Sequence, residues 1–233
     1  MLRHVVLCSL VVCWSLASHA AATHPHPSVL KPITKSPAAI ALNAEEQAEI
    51  RSGDAILRQT QGENGGRGVA VQLVKAPAAL VWDTILAYDE YPQWVDDVES
   101  CEVYQKKGTQ LFVAMKSSFM WITSNLYTIN DVHRDLGYMS WVLDRTRESD
   151  VQDMIGYWRV EQIESEPPMT RLDYATEIVV GGVPDFIVTH LTEGSLVDGT
   201  AWVKREAEKL WIKRRSEVAA TSGVDASTTS DKK

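Results

Sequence analysis

His190 and Asp198 are the one pair of side chains in this sequence that could serve as acid and base on a bound molecule. They sit eight residues apart in a segment of helical periodicity, so about two turns of helix would place them on one side. Such a pair can act as acid and base on a bound molecule, or fix its polar end by hydrogen bonding. Other constellations carry less. Asp131 and His133 alternate in a strand with Asp135 just beyond, a polar strand end that lacks the three or four converging ligands of a metal centre. Cys101 lies in a strand with no histidine near it in sequence, and there is no Gly-x-Ser-x-Gly elbow. Gly62 to Gly68 is followed by neither Lys-Ser nor a helix in phase, which excludes a phosphate loop. Thr23-His24-Pro25-His26-Pro27 reads as linker. Only a cut after Ala21, with the disfavoured His19 at −3, would expose an Ala-Thr-His copper-binding terminus. No cofactor and no metal is expected.

The elements that must position these residues follow from periodicity. Lys75 to Gly108 is a β–α–α–β unit with almost no loop. Pro77 opens a helix whose Ala78, Val81, Trp82, Ile85 and Leu86 share an apolar face, and Tyr88 to Val95 adds a turn or two bent at Pro92. Before it, Asn43 and Glu46 form a capping box for a helix to about Ser52. A glycine-rich turn and the strand Val69, Val71, Leu73 follow. After it the period is two. Leu111, Val113 and Met115 form one strand, Tyr127 and Ile129 the next, and Met139, Trp141 and Leu143 a third. Gly156, Trp158 and Val160 continue the run, which ends in Leu172, Tyr174, Thr176, Ile178 and Val180. Consecutive strands without helices predict an antiparallel sheet, and one long helix from Pro184 to about Arg215 is available to cover it. On that helix Ile187, His190, Leu191, Gly194, Val197, Asp198, Ala201 and Trp202 share one side. Gly194 and Ala201 remove bulk there, either for close packing or for room beside Trp141 and Trp158.

The chain ends frame this core. Met1 to Leu16 has a weakly basic start and an apolar run too short to span a bilayer well, followed by small residues: the layout of a signal peptide cut after Ala20 or Ala22. The expected organisation is therefore signal peptide 1–22, linker 23–42, domain 43–215 with its core at 68–213, and a disordered polar tail 216–233. Export places the protein in a periplasm or outside the cell. Loss of Arg3 with the leader moves the formal charge from −8 to −9, which argues against nucleic acid and anionic membranes as primary partners. Of three cysteines only Cys101 would remain, so no intrachain disulfide can form and the core must supply stability.

The order of these elements resembles the helix-grip fold, and the sequence resembles the START-like, Bet v 1-like superfamily. Within it the likeness is to the polyketide cyclase/dehydrase and lipid-transport group, which includes coenzyme Q-binding START-like proteins. It is carried by Ala76-Pro77, Val81-Trp82, Tyr88, Tyr91-Pro92, the strand Val98–Val103, Gly156-Tyr157-Trp158 and Pro184 to Leu196, and spans about residues 68 to 210. The resemblance implies an α+β fold with a curved antiparallel sheet of six or seven strands wrapped on the long C-terminal helix, two short helices following the first core strand. It also implies a cavity between sheet and helix that holds a small hydrophobic ligand: a lipid, an isoprenoid quinone or a polyketide-like aromatic. The residues expected to line it are Trp141, Trp158, Tyr174, Ile187, His190, Leu191, Gly194 and Asp198. Transient membrane contact for ligand exchange is a further expectation. The alternatives are a polyketide cyclase or aromatase using His190 with Asp198, and an interaction module that uses the fold without a ligand.

Overall fold

The structure, a computed structural model, describes residues 24–62, 64–119, 121–180 and 195–225, with no side chain described at 119, 195–199 or 221–225. Helix α1 (Ala44–Ser52) is followed by strands β1 (Ile56–Gly62) and β2 (Gly65–Val74), helix α2 (Ala78–Ile85), a single 3₁₀ turn (Tyr88–Glu90) and helix α3 (Tyr91–Trp94). Strands β3 (Val98–Lys107), β4 (Gln110–Phe119), β5 (Ile122–His133), β6 (Tyr138–Leu143), β7 (Asp153–Ser165) and β8 (Pro168–Val179) follow, and helix α4 (Ser195–Asp225) ends the described chain. The fold is the expected α+β helix-grip: one antiparallel sheet in the order β1-β2-β8-β7-β6-β5-β4-β3.

The sheet has eight strands where six or seven were expected. The extra one, β1, has a polar sequence after Ile56 and Leu57 and only Ile56 is buried, so it shows no alternation to read. The glycines read as a turn are mostly strand. Gly62 pairs with Gly65, and β2 runs on as Gly66, Arg67 and Gly68 against both β1 and β8. At Gly65 (φ 154°) a Cβ would drive into the carbonyl of Ile178, so only glycine lets β2 start so close to β8. The capping box forms as expected. Asn43 Oδ1 accepts from the Glu46 amide at 2.9 Å and Glu46 Oε2 accepts from the Asn43 amide at 2.8 Å.

The core lies between the concave face of the sheet and helices α2 and α4. Val74, Leu80, Val81, Trp82, Ile85, Met139, Trp141, Trp158, Val160, Leu172, Trp202, Val203 and Ala207 form one buried cluster. Burying side chains of this size contributes about 1.5 to 3 kcal/mol each. Polar ties fix α4 in place. Arg205 donates to the Trp94 carbonyl at 2.6 Å, the Lys75 amide donates to Glu208 at 2.8 Å, and Lys204 donates to the Gly53 carbonyl at 2.8 Å.

Two stretches differ from their sequence reading. Helix α4 runs to Asp225 rather than ending near Arg215. Ser216 to Ser222 contains no proline and no glycine before Gly223, so nothing stops propagation, although 212–220 are all exposed. The stretch read as a linker is an arm laid over the convex face of the sheet. Val29 and Leu30 amides donate to Asp153 on β7 at 2.7 and 2.8 Å, and the Ile40 amide donates to Asp173 on β8 at 2.9 Å. Between them Ser140 on β6 donates to the Ile33 carbonyl at 3.2 Å. The arm lacks any apolar period, and most of what holds it is polar and more than a hundred residues away: carboxylates, the Ser140 hydroxyl, and Arg145 and Arg171, which donate to the His26 and Ile40 carbonyls.

Candidate functional site

The concave wall is built from residue alternation. On β6, β7 and β8, Trp141, Trp158 and Tyr174 point inward, and the register sets Trp158 opposite Tyr174 and Trp141 opposite Gly156. Gly156 is the reason the three aromatics meet. A Cβ there would lie 2.5 Å from Trp141 Cε2 and 2.6 Å from the Ala175 carbonyl oxygen, so the missing side chain is the bed in which the indole lies. Across that bed Trp141 stacks on Tyr174 with centroids 5.7 Å apart, and Tyr174 meets Trp158 at 4.5 Å. Both tryptophans are buried and Tyr174 is half-buried. Burial pushes the Tyr174 hydroxyl up to about 12, partly offset by a hydrogen bond with Thr176, so it remains a neutral donor at ordinary pH.

Two polar spots interrupt this apolar wall. Asn130 lies directly opposite Trp141, and Thr128 opposite Leu143, so both share the inward face. Both are buried, and Asn130 Nδ2 donates to Thr128 Oγ1 at 2.9 Å. Sequence reading missed them. The strand was read from Tyr127 and Ile129, which have the opposite phase, although Leu126 and Val132 share the phase of Thr128 and Asn130. Tyr127 in fact faces out, where Arg147 lies over it and over Tyr104. The second spot is on α4: the Thr200 carbonyl accepts from buried Gln72 of β2 at 2.5 Å, while the Thr200 hydroxyl is buried with no partner among the described residues.

Charge is segregated away from this wall. Asp153 and Asp173 are buried under the arm on the convex side, and Asp144 is buried beside Tyr104, which donates to it. Glu206 is held by Arg205 and Lys209 at the flank of α4. The Cys101 thiol is pushed up to about 12, by burial first and then by Asp89 and Glu102, so it is no nucleophile at ordinary pH. His133 and Asp131 pair at 3.1 Å with Thr109 donating to Asp131, and the histidine ring stacks on Tyr138. Among the described residues no three His, Cys, Asp or Glu side chains converge on a metal position. The His24 ring is engaged on both nitrogens, with Gln152 O at 2.9 Å and the Ser149 amide at 3.4 Å.

Of the expected site residues, Trp141, Trp158 and Tyr174 come together. Ile187, His190, Leu191 and Gly194 lie outside the described residues, and Asp198 falls in the first turn of α4 without a described side chain. Of the predicted α4 stripe only Ala201 and Trp202 have described side chains, and Trp202 is buried as expected. Ala201 is exposed, and the buried positions are Thr200, Trp202, Val203, Glu206 and Ala207. Trp202 packs on Tyr91 at 4.7 Å and Trp94 at 6.1 Å, so α3 meets α4 within the same core cluster that holds Trp141 and Trp158. Two open surface grooves, of about 460 Å³ beside α1 and about 750 Å³ beside Pro167 and Trp211, have charged rims and lie away from this wall.

Comparison with known proteins agrees with this geometry. The family model described as polyketide cyclase / dehydrase and lipid transport matches residues 74–196. A STAR-related lipid transfer protein from Xanthomonas axonopodis superposes with a TM-score of 0.52 at 13% identity, covering 72% of this chain and 97% of that one. A START superfamily protein from Mycobacterium smegmatis gives 0.50 at 14% identity, covering 67% and 98%. A protein of Thermus thermophilus gives 0.51 at 14% identity, covering 64% and 98%. At these identities the likeness establishes the fold. No curated protein matches the sequence.

Proposed function

Because the chain belongs to the polyketide cyclase/dehydrase and lipid transport family, we propose that it binds and carries a neutral hydrophobic molecule against the inner wall of the sheet. The observation that carries this reading is the segregation of polarity. The inner wall offers aromatic faces and uncharged hydrogen-bonding groups, while the buried carboxylates of the sheet are turned to its outer side. A flat or chain-like apolar body suits Trp141, Trp158 and Tyr174, and a carbonyl or hydroxyl head suits Asn130 with Thr128. A quinone, an isoprenoid, a lipid or a polyketide-like aromatic meets that description. Burial of apolar surface supplies the affinity and the polar spot fixes orientation. A cyclase or aromatase would need an acid–base pair here, and the candidate pair, His190 with Asp198, lies outside the described side chains.

Export through a cleaved leader, and contact with a membrane during exchange, belong to the same proposal. Amino-terminal sequencing of protein recovered from the exported compartment tests the first, with Ala21 or Thr23 expected. For binding, extraction and native mass spectrometry should show a neutral hydrophobic molecule co-purifying. Asn130→Ala should weaken its retention about tenfold, the loss of roughly one buried hydrogen bond. A protein that arrives empty and takes up neither quinone nor lipid would leave the ligand-free interaction module as the reading.

A further inference from the structure

The hairpin joining β4 and β5 closes between the paired Phe119 and Ile122. Its sequence there is Phe119-Met120-Trp121-Ile122, four large apolar residues where hairpin turns ordinarily use glycine, asparagine or aspartate. Trp121 is 73% exposed, more than any other exposed large hydrophobic residue described. The polarity behind it is graded. The rung after Phe119–Ile122 is Ser118 opposite Thr123, with the two hydroxyls 3.0 Å apart, and the next is Ser117 opposite Ser124. Charge begins beside that rung, at exposed Asp97, whose carbonyl accepts from the Ser118 amide at 2.7 Å, and continues in Lys116, which pairs with Glu99 at 2.5 Å.

At about 3.4 Å per rung, an apolar tip is backed by a hydroxyl belt roughly 3 to 7 Å deep, flanked by Asp97 and followed by the Lys116–Glu99 pair. This is the polarity profile of the boundary between acyl chains and headgroups, where tryptophan concentrates and apolar faces sink about 5 to 10 Å. The ladder satisfies the strand backbone up to the Phe119–Ile122 rung, so entry leaves few polar groups unmet. The tip sequence carries no charge and the whole chain is at −8, so attraction to anionic lipid cannot be the driving force.

We propose that this hairpin tip is a membrane-docking wedge, with Trp121 and Ile122 entering the interfacial region of a bilayer without a requirement for anionic lipid. It lies at the end of the sheet where β8 finishes and the chain leaves towards α4. Docking there would bring that end of the inner wall to the bilayer, a use that rests on the ligand-binding reading above.

The test is flotation of the full chain with vesicles of phosphatidylcholine, and of phosphatidylcholine mixed with phosphatidylglycerol. The wild type should float with both, no more strongly with the anionic mixture. Trp121→Ser should lower the bound fraction about tenfold, and Ile122→Ser should lower it independently. Thermal melting checks that both variants remain folded. Failure of the wild type to float, equal flotation of a folded double variant, or a requirement for phosphatidylglycerol overturns the proposal. Trp121-dependent self-association in lipid-free sedimentation, in place of vesicle binding, does so as well. Ligand content is measured on the same samples. A variant that keeps its ligand but leaves the vesicles supports the wedge, and a wild type that floats empty counts against the ligand reading alone.

Discussion

Substituting Gly156 by alanine should destabilise the fold by disturbing the aromatic wall, and the size of the effect can be worked from the geometry. The new methyl would stand 2.5 Å from Trp141 Cε2 and 2.6 Å from the Ala175 carbonyl oxygen. The carbonyl belongs to the β7–β8 ladder and cannot swing away, so the indole must leave its bed and its stack on Tyr174. Overpacking of this kind costs about 1 to 3 kcal/mol, and the lost aromatic pair about 0.5 to 1.5 more. Removing glycine's extra unfolded-state freedom returns about 0.5 to 1 kcal/mol. The net loss is therefore about 0.5 to 4 kcal/mol, centred near 2, and the central value corresponds to roughly 4 to 8 °C in Tm for a domain of this size. Thermal unfolding followed by circular dichroism measures it, with the near-ultraviolet signal reporting the displaced tryptophan. The partner substitution sharpens the test: Trp141→Leu should cost less by about 1 kcal/mol or more in the alanine background than in the wild type. A Tm within about a degree of wild type, or an equal cost of Trp141→Leu in both backgrounds, would refute the steric account.

Two other predictions concern the ends of the chain. Asp153→Ala removes the acceptor for Val29, Leu30 and Ser28, so trypsin should cut at Lys31 and Lys35 at least about tenfold faster while the sheet remains intact. The same contact predicts a pH dependence. Burial pushes the Asp153 carboxyl up, but the Leu30 and Val29 amides and Arg145 together outweigh it and hold the carboxyl below its ordinary value. Its contribution is then complete above the unfolded value of about 3.9 and is lost as pH falls through the lower folded value. Arm cleavage measured with an acid-active protease should rise below about pH 4, and Asp153→Asn should remove that step. Ending the chain after Arg215 removes an exposed helical segment and the surface pair Lys213–Glu217, so Tm should stay within about 2 °C.

How much of this was legible depends on where the apolar residues fall. The β–α–α–β unit, the inward phases of β6, β7 and β8 and the aromatic trio could be read because burial on one face imposes a period of two. Gly156 was visible as a motif, but its role as the bed for Trp141 depends on a cross-strand register that no local pattern encodes. Asn130 and Thr128 escaped because β5 carries apolar residues in both phases, Leu126 and Val132 inward and Tyr127 and Ile129 outward, so alternation gave no single signal. On α4, Trp202 was read as inward and is, whereas Ala201 beside it is exposed and Thr200, Val203, Glu206 and Ala207 take the buried side. The arm was illegible because most of its partners are single polar side chains, Asp153, Asp173, Arg145, Arg171 and Ser140, distant in sequence.

That arm also imposes an order of events on folding. Residues 28–30 are held by a side chain 123 to 125 positions later, and Ile40 by one 133 positions later. The segment that leaves the ribosome first therefore has nothing to dock on until β7 and β8 have paired. Closing such long loops is entropically slow and is rewarded only once the sheet exists. The arm is thus fastened last, as a latch on a finished sheet. Removing it should quicken unfolding while leaving the rate of folding almost unchanged.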